Sequence, residues 1–231
     1  MKKSIVFLAA LAFSTIGLWS QSSSSIPLIG SDAPSFKAQT TNGMINFPED
    51  YTGKWKILFS HPRDFTPVCS SEILELAQMQ GDFDKLGVKL VVLSTDTLYQ
   101  HNIWKKTLDT LKYKNRKPQL INFPLVDDNS KYISKLYGML HSPVSTTRDV
   151  RGVFIIDKKD KIRAIFFYPS EVGRNFDEIK RTVIALQTSD KEQVLTPANW
   201  KPGEDVLVPF KPANDAGVYQ IAPFMIAKKL K

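Results

Sequence analysis

One thiol stands among 231 residues: Cys69. It closes the stretch HPRDFTPVC (61–69), which also holds His61, one of three histidines, and the prolines Pro62 and Pro67. A lone sulfur cannot form an internal disulfide, so it is a nucleophile, a redox centre or an inert buried side chain. Its surroundings favour reactivity. Pro67 suits the first position of a helix, where its missing N–H is not needed. Cys69 then falls in the first turn, where unpaired N–H groups and the positive end of the helix dipole gather. That position and nearby Arg63 are expected to favour the thiolate and draw the thiol below its free value of about 8.5. Thr66 is placed to cap the helix or to hydrogen-bond a ligand beside the sulfur; spacing leaves both open.

The flanking elements show what positions this sulfur. Residues 56–61 (KILFSH) are a short apolar run, read as a buried strand. Residues 66–87 carry apolar residues at 73, 76, 77, 83 and 86, a helical spacing, with Gly87 as the stop. Residues 88–96 form a second apolar run. Strand, helix and strand within about 40 residues make a βαβ unit with a parallel pair. Cys69 thus sits at a strand-to-helix junction. Beyond it the pattern predicts a helix over 98–111, a strand over 120–128 and a short helix over 130–138. A hairpin over 150–157 and 161–169 and a helix over 176–186 follow. Residues 26–50 read as turn-rich, and 196–210 as a Pro-rich loop. Strands alternating with helices, then a closing hairpin, imply an α/β layered core.

The hydrophobic fraction of 42% and charged fraction of 23% are those of a folded globular chain, able to bury a core without disulfides or metal. Lys2 and Lys3, the apolar run IVFLAALAFSTIGLW and the serines that follow have the layout of a secretory signal peptide. The run is about 15 residues, short for a membrane span. The chain is therefore expected to be exported, periplasmic or secreted, with no stable membrane insertion after cleavage. Basic clusters at Lys112, Lys114, Arg116, Lys117 and at Lys158, Lys159, Lys161, Arg163 read as solvated loops and turns. No zinc-finger spacing and no aromatic-interleaved basic stripe point to nucleic acid. His101 and His141 read as isolated, the three histidines show no metal-ligand spacing, and no metal or cofactor is expected.

Pro62, Thr66 and Cys69 form the pattern Pro-x-x-x-Thr-x-x-Cys, with Pro67 and Val68 beside it. The stretch closely resembles the peroxiredoxin signature, and FSHPRDFTPVC is similar to the one-cysteine subfamily. VRGVFIID resembles the family strand that carries a catalytic arginine, here Arg151. YPSEVGRNFDEIKRTVIALQ resembles the subfamily segment that carries a second, here Arg174. TPANWKPGEDVLVP resembles its C-terminal dimerisation segment. The resemblance implies a thioredoxin-like mixed sheet flanked by helices, with a C-terminal extension and a homodimer. Residues 1–21 are then a signal peptide, 22–187 the peroxidase domain and 188–231 the dimerisation segment.

The same resemblance implies a thiol peroxidase acting on hydrogen peroxide and organic hydroperoxides. Cys69 is its nucleophile. Arg151 lowers the thiol's pKa and polarises the peroxide, and Thr66 with the Cys69 amide holds the peroxide oxygens. Pro62, His61 and Arg174 belong to the substrate pocket, His61 for polarity or structure rather than as a base. Oxidation yields a sulfenic acid. Without a second cysteine, an external thiol must reduce it. Some one-cysteine members carry a phospholipase activity attributed to a serine–histidine–aspartate set. Here Lys54 stands where the serine would be, and no histidine lies near Pro48, so that activity is not expected. Two other readings differ in class: a redox-responsive holdase or sensor signalling through oxidised Cys69, and an inert thioredoxin-like binding module.

Overall fold

A computed structural model describes residues 26–209 and 217–230. The leader, its serines and Phe210 lie outside the described residues. The core is a seven-stranded sheet. Its strands are β1 (Phe36–Thr40), β2 (Gly43–Phe47), β3 (Trp55–Ser60), β4 (Val88–Ser94), β5 (Leu125–Asp127), β6 (Arg151–Ile156) and β7 (Ile162–Tyr168), in the order β2-β1-β5-β4-β3-β6-β7. The helices are α1 (Pro67–Lys85), α2 (Leu98–Leu108), α3 (Tyr132–Leu136) and α4 (Phe176–Glu192). β3 pairs parallel with β4 across α1, the βαβ unit read from the sequence. β6 runs antiparallel to β3, and β7 closes the sheet as its edge.

The sheet is covered on both faces. Trp55, Ile57 and Phe59 of β3 face one cluster with Ile73, Leu76 and Phe83 of α1, Trp104 of α2 and Ile179 and Val183 of α4. Leu58 of β3 faces another with Val91, Leu93, Phe154, Ile133 and Tyr137. The period of two along each strand decides which side chain meets which layer. It puts Arg151, with Val153 and Ile155, on the α1 face, and Gly152 and Phe154 on the other. Lys56 is an exception to the apolar filling: fully buried, it forms an ion pair with Asp160 in the β6–β7 turn.

Four sequence expectations need correction. Residues 26–50 contain the β1–β2 hairpin, whose Phe36, Ala38, Ile45 and Phe47 alternate inward. The many turn residues concealed that alternation. The strand expected over 120–128 is only Leu125–Asp127. Upstream, side chains satisfy the backbone instead: Asp109 accepts from the Ile121 amide, and Gln80 bonds the Leu120 carbonyl and the Asn122 amide.

α4 continues past 186 to Glu192, so the boundary drawn at 187 falls inside a helix. The C-terminal segment is also more regular than a loop. It adds β8 (Val206–Val208), β9 (Val218–Ala222) and β10 (Met225–Lys228), ordered β8-β10-β9. Its own small core of Val194, Trp200 and Val206 starts on α4 with Ala185.

Candidate active site

β3 ends at Ser60, and residues 61–66 carry the chain into α1. Phe65 takes a left-handed backbone (φ 57°), which costs a non-glycine residue about 1–2 kcal/mol. The turn buries Asp64 and leaves Phe65 half exposed. Pro67 opens α1 with Thr66 as its N-cap residue, as the spacing predicts. The Thr66 hydroxyl makes no capping bond and donates instead to the Arg63 carbonyl (2.8 Å). It therefore leaves the Val68 and Cys69 amides uncapped, and these point out of the helix start.

Cys69 is 1% exposed. The cation beside it is Arg151 rather than Arg63, which lies at the surface. Arg151 Nη1 is 3.3 Å from the sulfur and 2.8 Å from Glu72 Oε2. Arg151 Nε donates to the Ser170 carbonyl (3.1 Å), and Nη2 donates to the same oxygen. One N–H of its five remains uncommitted among the described residues.

Arg174 completes the cluster. Its backbone N–H and Nε reach Glu72 Oε1 (2.8 and 2.9 Å), and Nη2 reaches Oε2 (2.7 Å). Nη1 donates to the carbonyls of Ser60 (2.8 Å) and Gly152 (2.9 Å), bridging β3 and β6. Its plane lies over Phe59, 5.2 Å from the ring centroid. Arg174 thus holds the frame and, like Arg151, keeps one spare Nη2 hydrogen among the described residues. Two guanidiniums against one carboxylate leave a net positive charge beside the sulfur. Burial raises the Glu72 carboxyl, but Arg174 and Arg151 outweigh it and hold it below the usual range, hence ionised.

Glu72 was not singled out from the sequence, though a signal existed. It stands three residues after Cys69, on the buried stripe of α1 with Ile73 and Leu76. A carboxylate on an apolar stripe needs a buried partner.

His61 is fully buried at the end of β3, its ring 5.1 Å from that of Trp104. Among the described residues neither ring nitrogen makes a hydrogen bond, and Nε2 lies 3.5 Å from Asp64 Oδ1. Burial pushes it down to about 4, with Asp64 pulling the other way, so it is neutral at pH 7. His101 is not isolated as expected. Its Nδ1 is 2.8 Å from Asp64 Oδ2 and its Nε2 is 3.0 Å from the Val126 carbonyl. His61, Asp64 and His101 offer ligand atoms all within 4.8 Å of one another, a grouping that scattered sequence positions hid. The Asp64–His101 contact is a hydrogen bond, so one proton is shared between them. His141 lies apart, against Phe167. Pro62 is half-buried in the connecting loop.

A thioredoxin-like sheet with a buried cysteine at a strand-to-helix junction, clamped by an Arg–Glu–Arg cluster, defines a thiol redox protein. Residues 29–165 match the AhpC/TSA family, and residues 185–220 match the C-terminal domain of 1-Cys peroxiredoxin. A peroxiredoxin of Methanosarcina mazei is 52% identical over 185 residues, 80% of this chain and 84% of that one. The mitochondrial peroxiredoxin of Saccharomyces cerevisiae is 43% identical over 204 residues, covering 85% and 76%. Among solved structures, a yeast mitochondrial 1-Cys peroxiredoxin matches with a TM-score of 0.78 at 39% identity, over 89% of this chain and all of that one. A mutant peroxiredoxin 6 of Arenicola marina matches with a TM-score of 0.76 at 31% identity, over 88% and 98%. The chain belongs to the peroxiredoxin family and is a thiol peroxidase. Its single cysteine fits the 1-Cys subfamily, whose members are reduced by an external thiol.

Proposed function

We propose that Cys69 reduces hydrogen peroxide and organic hydroperoxides by direct attack. The observation that carries this is the Arg151 Nη1 contact to the sulfur, within a cluster of net positive charge. The thiolate attacks the terminal peroxide oxygen. An S–O bond forms as the O–O bond breaks, and the electron pair leaves with the alkoxide or hydroxide, which is protonated from solvent. Sulfur is oxidised by two electrons to the sulfenic acid. The spare Nη2 hydrogen of Arg151 and the uncapped Cys69 amide are the donors for the oxygens, where charge develops. Thr66, whose hydroxyl proton goes to Arg63, accepts from the peroxide O–H. Pro62 shapes the loop, and neutral His61 supplies polarity without acting as a base. Arg174 holds Glu72 and through it Arg151.

The cycle closes with outside thiols. The first condenses with the sulfenic acid, releasing water and forming a mixed disulfide; the second displaces it, restoring the Cys69 thiol. The related yeast protein is described as resolved through glutathione and thioredoxin systems, which makes both the first candidates. The leader pattern of residues 1–21 supports export. The C-terminal match supports a homodimer, as do exposed Tyr219 and Ile221 on β9 and Phe224 in the turn after it. Among the described residues, no helix is long and apolar enough to cross a membrane.

Peroxide consumption with glutathione or a thioredoxin system, supplied one at a time, tests this. Turnover is expected with at least one and is lost in Cys69→Ser. Equal consumption by the variant would overturn the proposal.

A further inference from the structure

The β3–β6 ladder runs from Lys56↔Ile156 to Phe59↔Val153 and stops there. β3 parts from β6 at this point while staying paired with β4 through Ser60 and the His61 amide, yet β6 must still present Arg151 two residues away. The Ser60 side chain fills the gap. Its hydroxyl donates to the Val150 carbonyl (2.7 Å) and accepts from the Gly152 amide (2.9 Å). These are the backbone groups on either side of Arg151. Ser60 is fully buried. Gly152 permits the approach: a Cβ there would stand 2.9 Å from Ser60 Oγ and 3.3 Å from Phe167 Cε1. The same seam is tied on its carbonyl side by Arg174, through the Ser60 and Gly152 oxygens.

The geometry points to Ser60 as a positioning residue for the peroxidase reaction: its hydroxyl replaces the missing ladder and fixes the backbone that aims Arg151 at the Cys69 sulfur. It touches neither sulfur nor substrate, since its side chain lies with Gly152, across the sheet from Arg151. The inference rests on the proposed part of Arg151. A hydroxyl that donates to one peptide and accepts from the next fixes both the distance and the tilt of the residue between them. Without it, the Gly152 amide and Val150 carbonyl keep their bond to each other (3.0 Å) and β6 keeps its pairing with β7, but among the described residues nothing reaches the two groups from β3. Arg151 then loses its aim, although Glu72 and the Ser170 carbonyl still hold its guanidinium.

A double-mutant cycle tests this. Ser60→Ala is expected to slow sulfenic acid formation roughly ten- to hundredfold, the cost of small misplacement at a reacting centre. The pH profile of Cys69 alkylation is expected to move to higher pH. Added to Arg151→Ala, the same substitution should cost nothing further in rate. If Arg151→Ala alone leaves the rate unchanged, the reading of Arg151 fails. If Arg151 matters but Ser60→Ala does not, or if its cost persists without Arg151, the positioning role fails. Ser60→Thr and Ser60→Val, alike in shape and different in the hydroxyl, keep the test open if Ser60→Ala does not fold. Thr is expected to restore rate and profile and Val is not; equal behaviour of the two overturns the inference.

Discussion

Arg151 and Cys69 are 82 residues apart in sequence, and the Nη1 of one lies 3.3 Å from the sulfur of the other. The contact follows from two periodicities. α1 turns Cys69 and Glu72 to the sheet, and the two-residue repeat of β6 turns Arg151 to the helix. Arg151→Lys keeps the charge but loses the fork that bonds sulfur, Glu72 and Ser170 together. The expected result is a roughly 10²–10³-fold slower reaction of Cys69 with peroxide, as for loss of a donor to developing charge. Single-turnover kinetics would show it; a rate within a few-fold of wild type would speak against the contact.

Glu72 neutralises one of two buried guanidiniums. Glu72→Gln keeps the shape and leaves the surplus charge buried. Breaking such a network from one side costs about 3–5 kcal/mol. Urea unfolding should show a lower midpoint with an unchanged slope.

Much of this was legible beforehand, in physical terms. The strand-to-helix junction could be read because apolar periodicity is a local property. The motif and the two arginines came by resemblance. Glu72 was missed although its signal, a carboxylate on an apolar stripe, was present. Ser60 and the Asp64–His101 pair were beyond reach, because their partners lie in other elements and only the sheet order brings them together. The β1–β2 and β9–β10 hairpins were masked by short strands among many turn residues.

Two buried groups give stability opposite pH slopes. His61, held at about 4 by burial, binds a proton only when unfolded between pH 4 and its ordinary 6.5, so its contribution rises with pH there. Asp149 is buried near Asp128, Asp96, Ser134 and Arg148, with Ser134 and Arg148 pulling its pKa down against burial and the two carboxylates. Burial first, then the acidic neighbours, push it up from 3.8 to about 8. It binds its proton only when folded across that range, so its contribution falls as pH rises. The slopes oppose each other up to pH 6.5. From 6.5 to 8 Asp149 acts alone, lowering stability by about 1.4 kcal/mol per pH unit. Asp149→Asn should be more stable than wild type at pH 8 and should lack this decline. Denaturation at several pH values would reveal it; parallel curves for the two proteins would refute it.

Phe224 is 85% exposed in the turn between β9 and β10, where an apolar ring gains by burial against a second copy. Phe224→Asp is expected to shift sedimentation from dimer to monomer while the monomer keeps its fold. A wild type that sediments as a monomer at high concentration would contradict the dimer.

The most direct test of the central claim is mass analysis of Cys69 after one equivalent of hydrogen peroxide without reductant, with peroxide loss followed in parallel. The account predicts rapid, stoichiometric peroxide loss and one oxygen atom gained at Cys69, reversed by added thiol and absent in Cys69→Ser. A sulfur that stays unmodified while peroxide persists, or oxidation found only at methionines, would contradict it.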